Sequence, residues 1–210
     1  MKKKLALPLS RGEAFFIMAR TKDFDEEVVL DKAIQLFWNK GFNATSMQDL
    51  VEGLGISRSS MYATYGDKHA LFLAALERYR SKAHQTMADI TDNTPSSKEA
   101  IKKLVALTTS ELIKDKQHKG CFMVNTAVEI APHDPEVNTF ICQNDKDIES
   151  FFYKAIKNGQ ASGEIPARHN ARALARFILN TVKGIRVSAK SAADKKVFDD
   201  IVNITLSVLD

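Results

Sequence analysis

The chain has 210 residues, 44% of them hydrophobic and 27% charged, an ordinary globular balance with length for one or two domains and a real core. Its two cysteines, Cys121 and Cys142, stand far apart and exclude a secreted disulfide framework, and no apolar run approaches the ~20 residues of a membrane span. A cytoplasmic location without membrane contact is therefore expected, and a net charge of +4 with a pI near 9.0 permits an acidic partner without demanding one.

The chain opens on "MKKKLALPLSRGEAFFIM". Lys2, Lys3 and Lys4 before Leu5 look like the start of a signal sequence, but Pro8, Arg11 and Glu13 interrupt the apolar stretch and no small-x-small site follows. Residues 1–20 are expected to form a disordered tail, with Met18 as an alternative start. Helical periodicity then dominates. Val29, Ala33, Leu36 and Phe37 share one face between Asp25 and Lys40, with Asp23, Asp25, Glu26 and Glu27 at the favourable end of the helix dipole and Gly41 as its stop. Met47, Leu50, Val51 and Leu54 make a second stripe. Thr45 is expected to cap it, with Gln48 three residues on as the partner in a capping box. Gly55 ends that helix and Ser57 caps a short one over residues 58–64, with Ile56 and Met61 as a hydrophobic staple. Asp67 caps a longer helix carrying Leu71, Phe72, Ala75, Leu76 and Tyr79.

"TDNTPSSKE" (91–99) reads as a linker. Beyond it lie stripes at Ile101, Leu104, Val105, Thr108 and Leu112, then a short apolar helix over 121–131 ended by "PHDP". A longer face follows through Val137, Ile141, Ile148, Phe152 and Ala155, and "NGQASGEIP" (158–166) reads as a turn. Leu174, Ala175, Ile178, Leu179, Val182 and Ile185 form the next stripe, and Val197, Ile201, Ile204, Thr205 and Val208 the last. The sum is an all-α chain of about nine helices, with no internal repeat and no convincing strand.

The stretch "GISRSSMYATYGDK" (55–68) joins two of these helices across a glycine turn, the arrangement of a helix-turn-helix whose second helix enters the major groove. Arg58, Ser59 and Ser60 offer a guanidinium and two hydroxyls to base edges, and Tyr62 a phenol to a phosphate or a thymine methyl. Thr45 and Ser46 stand at a helix start that favours a phosphate, and Lys68 supplies a point charge. The stretch lacks the second glycine of a nucleophile elbow and the Gly-Lys-Ser/Thr ending of a phosphate loop. From Arg20 to Lys68 six Lys/Arg stand against eight Asp/Glu, a balance of −2. DNA affinity there depends on the placement of a few cations and on two copies.

These residues resemble the N-terminal domain of the TetR family of transcriptional regulators. The likeness runs from Val28 to Leu76 and rests on Phe37, Gly41 and Phe42; Thr45 and Ser46; Gly55, Ile56 and Ser57; and Tyr62, Tyr65, Lys68 and Leu71. Ala63 and Thr64 replace a common aromatic and His, Tyr65 replaces the usual Phe, and Val51 stands where a small residue is usual. The resemblance implies an all-helical homodimer with residues 21–68 as DNA-binding domain and 69–210 as effector-binding and dimerisation domain. It also implies base contacts by Arg58, Ser59 and Ser60, and phosphate contacts by Thr45, Ser46, Tyr62, Thr64 and Lys68. "GEIP…LARFILNTVKGIRV" resembles the penultimate helix of many members, which with the last helix forms the dimer's four-helix interface.

The implied function is a repressor released from a palindromic double-stranded DNA operator by a small-molecule effector. Candidate effector contacts are Phe122, Met123, Asn125, Glu129, Phe140, Phe151 and Phe152, an apolar set with a few polar anchors. Cys121, following His118 and Lys119 at a helix start, is a candidate redox or electrophile sensor. His118 and Cys121, with His133 and Cys142, lack the spacing of a structural zinc site, and no metal or cofactor is expected. Two rival classes are an activator or protein-regulated adaptor of the same fold, and an all-helical enzyme using Glu129, His133 and Asp134.

Overall fold

The computed structural model describes residues 24–191 and 194–210, and the expected tail over 1–20 lies outside the described residues. Nine α-helices make up the described residues: α1 (Glu26–Lys40), α2 (Met47–Leu54), α3 (Arg58–Tyr65), α4 (Lys68–Asp92), α5 (Ser97–Lys114), α6 (Phe122–Glu129), α7 (Pro135–Ser162), α8 (Ala171–Ser188) and α9 (Lys195–Ser207).

Ser57 and Asp67 cap their helices as expected, and Asp25 caps α1. Asp25 Oδ1 accepts the Glu27 N–H at 2.8 Å, and Asp67 Oδ1 accepts that of Ala70 at 2.7 Å. Ser57 Oγ accepts the Ser60 N–H at 3.0 Å, with Ile56 and Met61 both buried beside it. The start of α2 differs from the sequence expectation. Ser46, not Thr45, is the cap: its Oγ accepts the Asp49 N–H at 3.1 Å while Asp49 Oδ2 accepts the Ser46 N–H at 2.8 Å. Thr45 is fully buried and its hydroxyl donates to the Gly41 carbonyl at 2.6 Å, which closes the α1–α2 turn. Asp49 also pairs with Lys40 at 2.5 Å, an ion pair that Gln48 cannot make.

Two boundaries differ as well. The linker narrows to residues 93–96, because α4 and α5 extend into its two ends. The turn read at 158–166 begins later: α7 runs to Ser162 and reverses at Gly163, whose φ is +81°.

Two buried clusters organise the helices. The first joins α1, α2 and α3 to the early turns of α4 and to α6, through Phe37, Leu50, Leu54, Met61, Leu71, Phe72, Leu76 and Phe122. The second joins α5, α7, α8 and the chain's C-terminal end through Ile101, Val105, Ile156, Ile165, Ala175, Ile178 and Leu209. Helix α4, 25 residues and about 37 Å long, belongs to both, since its later residues Met87 and Ile90 pack on the second cluster. The close approach of α1 and α2 is made at Gly53, where an added Cβ would meet Leu36 Cδ1 at 2.7 Å. That glycine supplies the small residue absent at Val51.

Candidate nucleic-acid interface and ligand cavity

Met61 is the buried side of α3, so the same helical turns present Arg58, Ser59, Tyr62 and Ala63 outward. The guanidinium of Arg58 lies 5.8 Å from the centre of the Tyr62 ring, a contact that steadies both side chains. Ser57 Oγ is 2.9 Å from Ser59 Oγ and 2.8 Å from Ser60 Oγ, a hydroxyl cluster whose protons can be redirected toward an outside acceptor. Ser46 is exposed, while Thr64 and Lys68 are half-buried. The Lys68 ammonium sits 4.4 Å from the centre of the Phe42 ring, and burial holds its pKa below the ordinary lysine value against the opposing pull of Glu129 and Asp49. The side chain of Thr45 is absent from this surface, because its hydroxyl is used inside the α1–α2 turn.

The acidic balance of this region has a structural cause. Asp25 and Asp67 cap helices and Asp49 pairs with Lys40. Asp31 binds Arg78 of α4 through two bonds, Nε to Oδ1 at 2.7 Å and Nη2 to Oδ2 at 2.8 Å, and Glu27 adds a third at 3.2 Å. These acids join α1 to α4. Arg58, in contrast, forms no ion pair among the described residues.

Two contacts tie the helix-turn-helix to the rest of the chain. Glu129, at the end of α6, accepts the Asn43 N–H at 3.2 Å. His69, at the start of α4, lies 2.7 Å from Asp134 Oδ2, and Asp134 also caps α7 by accepting the N–H groups of Glu136 and Val137. The Val137 N–H, more than His69, holds the Asp134 carboxyl below the usual carboxylate range. The Glu129, His133 and Asp134 group is thus spread over a helix end, an exposed turn and a cap.

A cavity of about 960 Å³ opens between α1, α4, α5, α7, α8 and the loop before α6. Of the expected effector contacts, Met123 and Phe152 line it. Phe122 packs instead between Trp38, Phe72 and Tyr79 in the first cluster, and the Asn125 amide donates to the Lys119 carbonyl at 2.8 Å. Phe140 lies under the Arg80 guanidinium, Phe151 against Phe152, and Glu129 on the α1–α2 turn. Cys121 is buried in the cavity wall, with the Tyr79 hydroxyl 3.7 Å from its sulfur. Lys119 points away from the thiol, to Gln35 at 3.0 Å and over Trp38, and His118 bonds the Ala189 carbonyl. The cation facing Cys121 is Arg186. Sequence reasoning missed Trp38, Tyr79, Glu111, Asn144 and Arg186, all in the wall. Arg186 had a signal: it follows Leu179 and Val182 on the apolar face of α8, at spacings i+7 and i+4.

A helix-turn-helix with an open polar face, carried on a helical body that encloses a large cavity, defines a DNA-binding transcriptional regulator. The family model "Bacterial regulatory proteins, tetR family" matches residues 29–75, and "Tetracyclin repressor-like, C-terminal domain" matches residues 97–204. The chain is 35% identical over 194 residues to the uncharacterized HTH-type transcriptional regulator YezE of Bacillus subtilis (strain 168), covering 92% of this chain and 100% of that protein. It is 30% identical over 188 residues to the HTH-type transcriptional repressor ComR of Escherichia coli (strain K12), covering 89% and 90%. A solved structure of a cysteine mutant of the TetR family regulator CifR, complexed with 26-bp operator DNA, superposes with a TM-score of 0.81 at 26% identity, covering 91% of this chain and 100% of that one. The chain belongs to the TetR family and is a regulator, not an enzyme.

Proposed function

We propose that the chain acts as a homodimeric repressor, released from a palindromic operator by a small molecule that fills the cavity. Residues 21–68 grip DNA and 69–210 hold the effector and the second protomer. The observation that carries this reading is that α1, a helix of the DNA-binding unit, forms part of the cavity wall through Asp31, Ile34, Gln35 and Trp38. A ligand there touches the DNA-binding unit directly, and the Glu129 and His69 contacts give the same unit two further ties to the effector helices. Filling the cavity favours a dimer whose recognition helices no longer match half-sites ~34 Å apart. DNA and effector then weaken each other's binding by the same factor.

The relatives support the repressor half: ComR is named a repressor, and CifR is seen on operator DNA. Selection of genomic fragments by the purified protein at physiological salt, followed by footprinting, tests it. A short palindromic site protected on both halves is expected. Weak, sequence-blind, salt-sensitive binding would refute the reading.

Cys121 gives a second trigger for the same switch, because its thiol lies in the cavity wall between Tyr79 and Arg186. Limiting iodoacetamide at neutral pH should label Cys121 in a mass spectrum, and an unlabelled Cys121 would remove this role.

A further inference from the structure

We propose that the cavity is built for an amphipathic organic anion, a carboxylic acid or comparable singly charged acid on an apolar body, with its charged end bound by Arg186. This rests on the effector-site reading above and names the ligand's chemical class.

Arg186 stands on α8, half-buried, and lines the cavity. Its close polar neighbours are Cys121 and Tyr79, while Glu111 attracts it from beyond ion-pair distance. A guanidinium does not shed its proton; Cys121, Tyr79 and the distant Glu111 offset its burial and favour the charged form, but no carboxylate lies against it as a bidentate partner. Tyr79 cannot supply the missing charge, because burial pushes its phenol well above the ordinary tyrosine value and keeps it neutral. A ligand carboxylate can supply it, and the planar guanidinium fork presents two parallel donors to such a group.

The approach to Arg186 favours the same sign. Lys114 and Lys116 line the cavity and form no ion pair among the described residues. Of the wall's acids, Asp31 is held by Arg78 and Lys82, and Asp115 accepts the N–H groups of Gln117 and Gly120. Only Glu111 remains, and it is exposed. A cationic ligand would meet Arg186 at depth with no buried carboxylate to bind it. Trp38, Leu104, Met123, Ile148, Phe152 and Leu179 give the wall most of its apolar surface, beside neutral polar groups at Gln35, Thr108 and Asn144. That volume and lining suit a drug-sized apolar body.

Trp38 is the chain's one tryptophan and part of the wall, so its fluorescence reports occupancy. The full chain is titrated at neutral pH with decanoate, decan-1-ol and decylamine, which share a chain and differ in charge. Decanoate should bind about tenfold or more tightly than either of the others, the scale of one charge-assisted pair. Arg186→Gln should erase that preference while leaving decan-1-ol affinity nearly unchanged, and Arg186→Lys should keep part of it. Binding of decan-1-ol to Arg186→Gln also shows that the variant is folded. Equal affinities for the three probes in the unaltered chain, or an undiminished preference in Arg186→Gln, would overturn the assignment of ligand class while leaving the cavity as an effector site. A Trp38 signal that no probe moves would overturn the effector-site reading itself.

Discussion

Glu129 rests its carboxylate against Gly41, with Oε1 accepting the neighbouring Asn43 N–H at 3.2 Å. Gly41 has φ +81° and ψ 162°, a backbone region open essentially to glycine alone. A Cβ at that position would also lie 2.8 Å from Glu129 Oε2. Gly41→Ala should therefore cost about 1–3 kcal/mol for the backbone, plus a steric share. In a Glu129→Ala background the backbone cost should persist and the steric share should vanish. Urea unfolding of the four proteins in a double-mutant cycle measures this, and a coupling of zero would mean that Glu129 does not press on the turn.

Tyr65 carries a buried hydroxyl with no hydrogen-bond partner among the described residues. Burial, with Glu26 adding to it, raises the phenol's pKa. Tyr65→Phe removes an unsatisfied polar atom without leaving a cavity, so stability should rise by about 1 kcal/mol. The urea midpoint should move up at constant slope, with operator affinity unchanged. A lower midpoint would show that the hydroxyl has a stabilising partner.

The Asp31–Arg78 clamp gives a pH signature. Arg78's two bonds, and then the bond from Lys82, hold the Asp31 carboxyl well below the usual carboxylate range. A carboxylate with a lowered folded-state pKa stabilises fully above its unfolded value, near 4, and loses that contribution as pH falls further. Asp31 is half-exposed and solvent screens the pair, so Asp31→Asn should cost about 1 kcal/mol at pH 7. The gap between the two proteins should be smaller at pH 3 than at pH 7. A gap that widened toward acid would contradict the assignment.

Helix positions were legible in the sequence because capping and 3.6-residue periodicity are local signals. Ser57, Asp67 and the apolar stripes were each read within a turn or two of their own helix. The Thr45 cap was misread because Thr45 and Ser46 are chemically equivalent as caps, and only the packing of α1 against the turn decides which of them is buried. The helix-turn-helix was legible through its motif. The cavity was not, because its wall gathers α1, α4, α5 and α8 side chains separated by up to about 150 residues. Glu129 shows the same limit: nothing within α6 announces a contact with Asn43, 86 positions earlier.

Arg58 and Lys68 should respond differently to truncation. Arg58 is exposed on α3, stacked on Tyr62, and forms no ion pair among the described residues. Lys68 stands at the start of α4, against Phe42, and Tyr62 is beside Arg58. Arg58→Ala should cost about 1–3 kcal/mol at the preferred site and relax preference there in a randomised-site selection. Tyr62→Ala and Lys68→Ala should weaken binding to all sequences, and Lys68→Ala should also flatten the salt dependence by about one counterion. An unchanged preference in the Arg58 variant would remove it from base reading.

The last two helices keep apolar side chains in the open. On α8, Phe177 and Val187 are 45% and 51% exposed, and on α9, Val197 and Ile204 are 49% and 70% exposed. Phe177, Gly184 and Val187 lie at spacings of seven and three, so they form one stripe, and a Cβ at Gly184 would meet nothing within 4 Å. Val197 and Ile204 repeat the seven-residue spacing on α9. A stripe of that kind on two adjacent helices, left open in one protomer, is what a second copy would cover in a four-helix interface. Phe177→Lys combined with Ile204→Lys places cations where the two copies would meet, at exposed sites whose loss costs the protomer little. Light scattering should then give a monomer for the double variant and a dimer for the unaltered chain. Operator affinity should fall by about a hundredfold or more, because a lone protomer binds one half-site without the gain from linking two. A double variant that stayed dimeric, or bound the full operator undiminished, would place the interface elsewhere.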